Sequence, residues 1–105
     1  MGIHHGRMTE LLTDDQITEA LEHLPEWSRD GEKLTRVVDF PGFPKAIQAI
    51  TRIAEIAENE DHHPDMDIRF KTVTFYLTTH FKGGITGNDT SMAQEIDGVV
   101  EQYSN

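Results

Sequence analysis

Phe43-Pro44-Lys45-Ala46-Ile47-Gln48-Ala49-Ile50-Thr51-Arg52-Ile53-Ala54-Glu55-Ile56-Ala57-Glu58-Asn59 is the stretch whose reading decides the fold. Ala46, Ile47, Ile50, Ile53, Ala54 and Ala57 recur at helical spacing and form a long apolar stripe, widened by Ala49 and Ile56. Pro44 suits a first helical position, where its missing N–H removes no intrahelical bond. The spacing predicts one long core helix ending near Asn59. Glu60-Asp61-His62-His63-Pro64 then leads into the next element, because a residue before proline is pushed toward extended geometry.

A hairpin is predicted on each side of this helix. Upstream, Trp27 to Asp30 and Lys33 to Phe40 flank an Asp30-Gly31 turn, which supplies the positive φ that tight hairpins need. Leu34, Val38 and Phe40 share one face there, interrupted by Arg36. Downstream, Met66 to Phe70 pairs with Thr72 to Thr79. Val73, Phe75 and Leu77 face one side, and Thr74, Tyr76, Thr78 and His80 the other. At the front, Thr13-Asp14-Asp15-Gln16 is a capping box opening a helix with Ile17, Ala20, Leu21 and Leu24 on one face, stopped by Pro25. At the back, Thr86 or Asn88 caps a helix lined by Met92, Ala93, Ile96, Val99, Val100 and Tyr103. The order α-β-β-α-β-β-α implies an α+β fold, a two-layer sandwich of a four-stranded antiparallel sheet with helices on one face. The other sheet face, or a strand edge, is left for self-association.

The 105 residues suffice for one core and one domain, expected over residues 13–105 behind a flexible N-terminal segment at 1–12. His4 and His5 belong to that segment and are set aside as candidates. Nine Lys+Arg against nineteen Asp+Glu give a net charge of -10, which argues against direct binding of nucleic acid or an anionic membrane. No apolar run approaches the ~20 residues of a membrane span. The absence of cysteine excludes a disulfide framework and thiolate chemistry and fits a cytoplasmic location.

Chemistry must therefore come from elsewhere, and His62, His63 and His80 come from the two ends of the second hairpin. Imidazole, with an unperturbed pKa of roughly 6.5, exchanges protons near neutral pH. A histidine pair alone is most simply a solvated helix end; a third histidine in register favours a site. Zinc is a rival, since Asp61, Asp65 and Asp67 add carboxylates. Adjacent histidines on extended chain point apart, however, so no metal is expected. The threonines at 72, 74, 78 and 79 read as β-propensity on a half-exposed strand rather than a hydroxyl relay.

Ala57-Glu58-Asn59-Glu60-Asp61-His62-His63-Pro64, the strand ending Leu77-Thr78-Thr79-His80, then Gly84-Ile85-Thr86 and Asp89 resemble the pterin-4a-carbinolamine dehydratase family. Leu24-Pro25-Glu26-Trp27 fits as well, so the likeness spans roughly Asp14 to Val100. Many relatives carry Trp where this chain has Met66, and Phe81-Lys82 also departs from the usual pattern, while an aromatic is kept at Phe70. The resemblance implies dehydration of a 4a-hydroxytetrahydropterin to quinonoid dihydropterin, with no cofactor. It makes His62, His63 and His80 the acid/base residues, with His63 or His80 protonating the departing hydroxyl and His62 favoured as base. It places substrate contacts on His62, His63, Pro64, Thr79, His80, Phe81 and Lys82, and gives Glu58 and Asp89 supporting roles. For Asp89 a solvated carboxylate at a helix N-terminus is the plainer alternative. The resemblance also implies a homodimer or homotetramer. A second class of function follows from it, a dimerisation cofactor binding a transcription factor through an exposed helix stripe without essential catalysis.

Overall fold

A computed structural model describes residues 9–105. The expectations for His4 and His5 lie outside the described residues. The elements are α1 (Asp14–Glu22), β1 (Ser28–Asp30), β2 (Lys33–Asp39), α2 (Phe43–Glu60), β3 (Asp65–Arg69), β4 (Thr72–Leu77), a short 3-10 turn (His80–Lys82) and α3 (Gly87–Gln102). The α+β order expected from the sequence is the order observed.

Local signals set the element ends. The Thr13 hydroxyl accepts from the Gln16 N–H at 3.1 Å, and the Gln16 side chain accepts from the Thr13 N–H at 2.8 Å, which closes the capping box of α1. Just ahead of it, Leu12 N–H donates to the Ile85 carbonyl at 2.9 Å, and Leu11 bridges Thr86. Contacts of the domain thus begin before Thr13. The helix α1 ends at Glu22, earlier than its apolar pattern suggests, yet Leu24 still reaches the core.

The sheet is antiparallel throughout, in the order β1-β2-β4-β3, so the two hairpins join through β2 and β4. Leu34 stands opposite Leu77, Arg36 opposite Phe75 and Val38 opposite Val73. Since strand side chains alternate, this register puts Leu34, Val38, Val73, Phe75 and Leu77 on one buried face. Thr35, Val37, Thr74 and Tyr76 fall on the other, where Val37 is 64% exposed. The inner face packs against the helices, with Ala46, Ala49, Ile53 and Ala57 of α2 and Met92, Ala93, Ile96, Val99 and Val100 of α3 filling the core. Two positions of the expected α2 stripe do not join it: Ile47 and Ala54 are exposed, and Ala49 takes the central place. Small alanines at 46, 49 and 57 let the helix lie close to its neighbours, which turns the buried edge slightly from the widest run of isoleucines.

Arg36, which breaks the apolar face of β2, has a partner that the sequence did not reveal. Its guanidinium meets Asp97 of α3 at 2.5 Å, and the indole N–H of Trp27 donates to the same carboxylate oxygen at 2.7 Å. One carboxylate therefore links the first hairpin, the loop before it and the last helix.

Candidate active site

The site forms where α2 stops. Asp61 takes the left-handed conformation (φ 53), and the His62 N–H reaches back to the Ala57 carbonyl at 3.1 Å. This is a helix C-cap usually given to glycine, though aspartate tolerates it better than most residues. The turn sends His62 and His63 in different directions, as expected for adjacent residues on extended chain. His62 points inward to Asp89, with 2.6 Å between Nε2 and Oδ1. His63 lies at the surface, its Nε2 2.9 Å from Glu58 Oε1.

The second half comes from the end of β4. His80 begins the 3-10 turn, its side chain 75% exposed, and its Nε2 stands 3.8 Å from Asp65 Oδ2, a loose contact in solvent. Asp61, His62, His63, Thr78, Thr79, His80 and Phe81 line one open cleft of about 190 Å³. Five predicted site residues therefore meet there: His62, His63, Thr79, His80 and Phe81. Pro64 and Lys82 are not in its walls. Glu58 and Asp89 stand behind it, each touching one histidine. A roomier groove of about 300 Å³ runs along α2 beside Tyr103, but it holds no imidazole, so volume alone does not mark the chemistry.

Two sequence readings need correction. Asp89 is not a solvated helix-end carboxylate: it is 0% exposed. Its Oδ2 accepts from the Thr79 hydroxyl and from the Thr86 N–H, each at 2.9 Å, while Oδ1 faces His62. Thr79, in turn, is no half-exposed strand threonine. It is buried, with its hydroxyl 2.8 Å from that of Thr86, and its backbone N–H and carbonyl are taken by Gly84, Lys82 and Gly83. Sequence reasoning missed Thr86 as part of the site. The signal was present, because Thr86-Gly87-Asn88-Asp89 is itself a capping box, which brings the fourth residue back to the first. Among the described residues no group of three or more His, Cys, Asp or Glu side chains is arranged to hold a metal ion.

Beside His62, burial and a hydrogen bond with Glu95 push the Glu60 carboxyl above its ordinary value. The folded chain holds that proton more tightly than the unfolded one, so stability declines as pH climbs from the ordinary 4.5 through the raised value. Glu60→Gln should remove this decline. Its melting temperature should gain on the parent more at pH 7 than at pH 5; an equal difference at both would discount the pair.

A buried carboxylate on one imidazole, with two more imidazoles at a shallow cleft of an α+β sandwich, is an arrangement whose side chains can give and take protons. Comparison with known proteins gives the family. The profile of the family described as "Pterin 4 alpha carbinolamine dehydratase" matches residues 10–99. A protein of Mycobacteroides abscessus, provisionally named pterin-4-alpha-carbinolamine dehydratase, is 58% identical over 87 residues, covering 83% of this chain and 93% of that one. One of Nocardia farcinica, with the same provisional name, is 53% identical over 89 residues, covering 85% and 94%. The crystal structure of a transcriptional coactivator/pterin dehydratase from Brucella melitensis superposes with a TM-score of 0.83 at 32% identity, over 86% of this chain and 98% of that one. The chain belongs to the pterin-4a-carbinolamine dehydratase family, a family of hydro-lyases. No helix among the described residues is long and apolar enough to cross a membrane.

Proposed function

We propose that this protein dehydrates a 4a-hydroxytetrahydropterin to quinonoid dihydropterin and water by histidine acid–base catalysis, in support of pterin recycling. The C4a–O bond breaks, the departing hydroxyl takes a proton and leaves as water, and the N5 proton passes to a base. His63 or His80, both exposed at the cleft, supplies the proton to the hydroxyl; His62, backed by a carboxylate, accepts from N5. The observation that carries this reading is that His62, with Asp89 buried behind it, opens into the same cleft as His63 and His80. Exposed Phe81 offers a flat apolar surface for a heterocycle beside them. Each proton transfer of this kind contributes ~100 to 10,000-fold.

The test follows the decay of a synthetic 4a-hydroxytetrahydropterin with and without the protein. Acceleration by the intact chain, reduced about 100-fold in His63→Ala, is expected. No acceleration by the intact chain removes the reading.

A partner-binding role has one observation in its favour, the exposure of Phe43 and Ile47 on α2. Such a role would respond to substitutions at Phe43 and Ile47 and ignore His63→Ala.

A further inference from the structure

The hydrogen bonds behind His62 run in a single direction, and counting their protons decides which ring nitrogen is free to work. Thr79 has one hydroxyl proton, and it goes to Asp89 Oδ2 at 2.9 Å. Thr79 must then accept in its 2.8 Å contact with Thr86, whose own hydroxyl proton is thereby committed. Thr86 Oγ1 accepts in turn from the Asn88 N–H at 3.2 Å, inside the first turn of α3. With the Thr86 N–H also on Oδ2, that oxygen receives two donors, and Oδ1 is left to His62 alone. The Thr79, Thr86 and Asp89 members of this chain are all buried, so water does not scramble it. A carboxylate charged with two donors at a helix N-terminus is an acceptor. Its partner Nε2 must therefore carry a hydrogen.

We infer that Thr79 and Thr86 are positioning residues that act through Asp89 to hold His62 as the Nε2–H tautomer, which makes Nδ1 the atom that accepts the substrate proton. The imidazole needs this help because a neutral ring in water interconverts between its tautomers. Only the Nδ1 lone pair can act as a base when Nε2–H is locked inward. Thr79, read from the sequence as strand propensity, and Thr86, read as a helix cap, thus do more than either reading suggested: they pass the order of a helix N-terminus through two hydroxyls to a base on another element.

The tautomer claim stands on geometry, and the kinetic consequence rests on the dehydratase reading, so the experiment keeps the two apart. In the ¹⁵N-labelled intact protein, long-range ¹H–¹⁵N correlation should show His62 with a protonated Nε2 and a bare Nδ1, and a Nε2–H resonance protected from exchange with water. Thr79→Val, which keeps the shape but removes the donor, should lose that protection and lower kcat about tenfold with KM little changed. Thr79→Ser should restore both. If Thr79→Val fails to fold, Thr86→Val breaks the same chain one bond further back and should show the same loss of protection. A His62 protonated on Nδ1 in the intact protein would overturn the inference, as would an unchanged Nε2–H resonance in Thr79→Val or, should that variant not fold, in Thr86→Val. If the intact protein proves inactive on the pterin while the resonance behaves as expected, the dehydratase reading fails and the tautomer assignment stands.

Discussion

Asp89→Asn is expected to lower kcat about 1,000-fold, the middle of the range for loss of a general base, while the chain still folds. Asparagine has the shape of aspartate but must place its NH₂ on one side or the other. On the Oδ2 side it would meet two donors, the Thr79 hydroxyl and the Thr86 N–H, both held at 2.9 Å in the parent. Donor against donor in a buried site costs about 1 to 3 kcal/mol, so the amide turns the other way. Its NH₂ then faces His62, whose Nε2 must become an acceptor, and the hydrogen moves to Nδ1. The ring stays in place with the wrong nitrogen bare. Steady-state rates on the synthetic hydroxypterin, together with circular dichroism to confirm the fold, decide the matter. A rate within about tenfold of the parent would mean that the His62–Asp89 contact does not set the base.

How the sequence announced this structure differs between the fold and the site. Capping at Thr13, the Asp30-Gly31 turn, the long run of α2 and the alternation at Val73, Phe75 and Leu77 are local patterns, and each element appeared where its pattern lay. Positions that depend on distant partners were harder to read. The spacing of Ala46, Ile47, Ile50 and Ile53 marks a broad apolar side, but the crossing against the sheet chooses which edge is covered, and Ile47 at 38% exposure lost that choice to Ala49. The histidines were legible as a group because two follow a helix end and the third lies just past the end of β4, the second strand of the hairpin that follows. Asp89 was legible as a helix-cap residue, yet its burial depends on His62, 27 positions away, and on Thr79 of another element. A side chain that is polar in sequence declares nothing about burial until its partners are known.

The same blindness to distant partners applies to Asp97, and there it bears on stability. Asp97→Ala is expected to destabilise the fold by about 3 kcal/mol, because one buried donor and one part-buried donor lose the acceptor they share. Trp27 is 5% exposed, and its indole N–H would be left without a partner. The Arg36 side chain, 15% exposed, would keep its charge against the core face of β2, where its Nε already lacks a hydrogen bond. Folded domains are stable by only about 5 to 15 kcal/mol, so the melting temperature should fall on the order of 15 °C. The cost comes from orphaned groups and not from the strength of the ion pair, which makes a second variant decisive. Adding Arg36→Met to Asp97→Ala replaces the stranded charge with an apolar chain of similar length and should regain at least about 1 kcal/mol. A loss below about 1 kcal/mol in Asp97→Ala would show that solvent reaches Arg36 and Trp27 well enough to replace the carboxylate. A full loss with no recovery in the double variant would instead locate the stabilisation in the Trp27 contact, since that indole is orphaned in both.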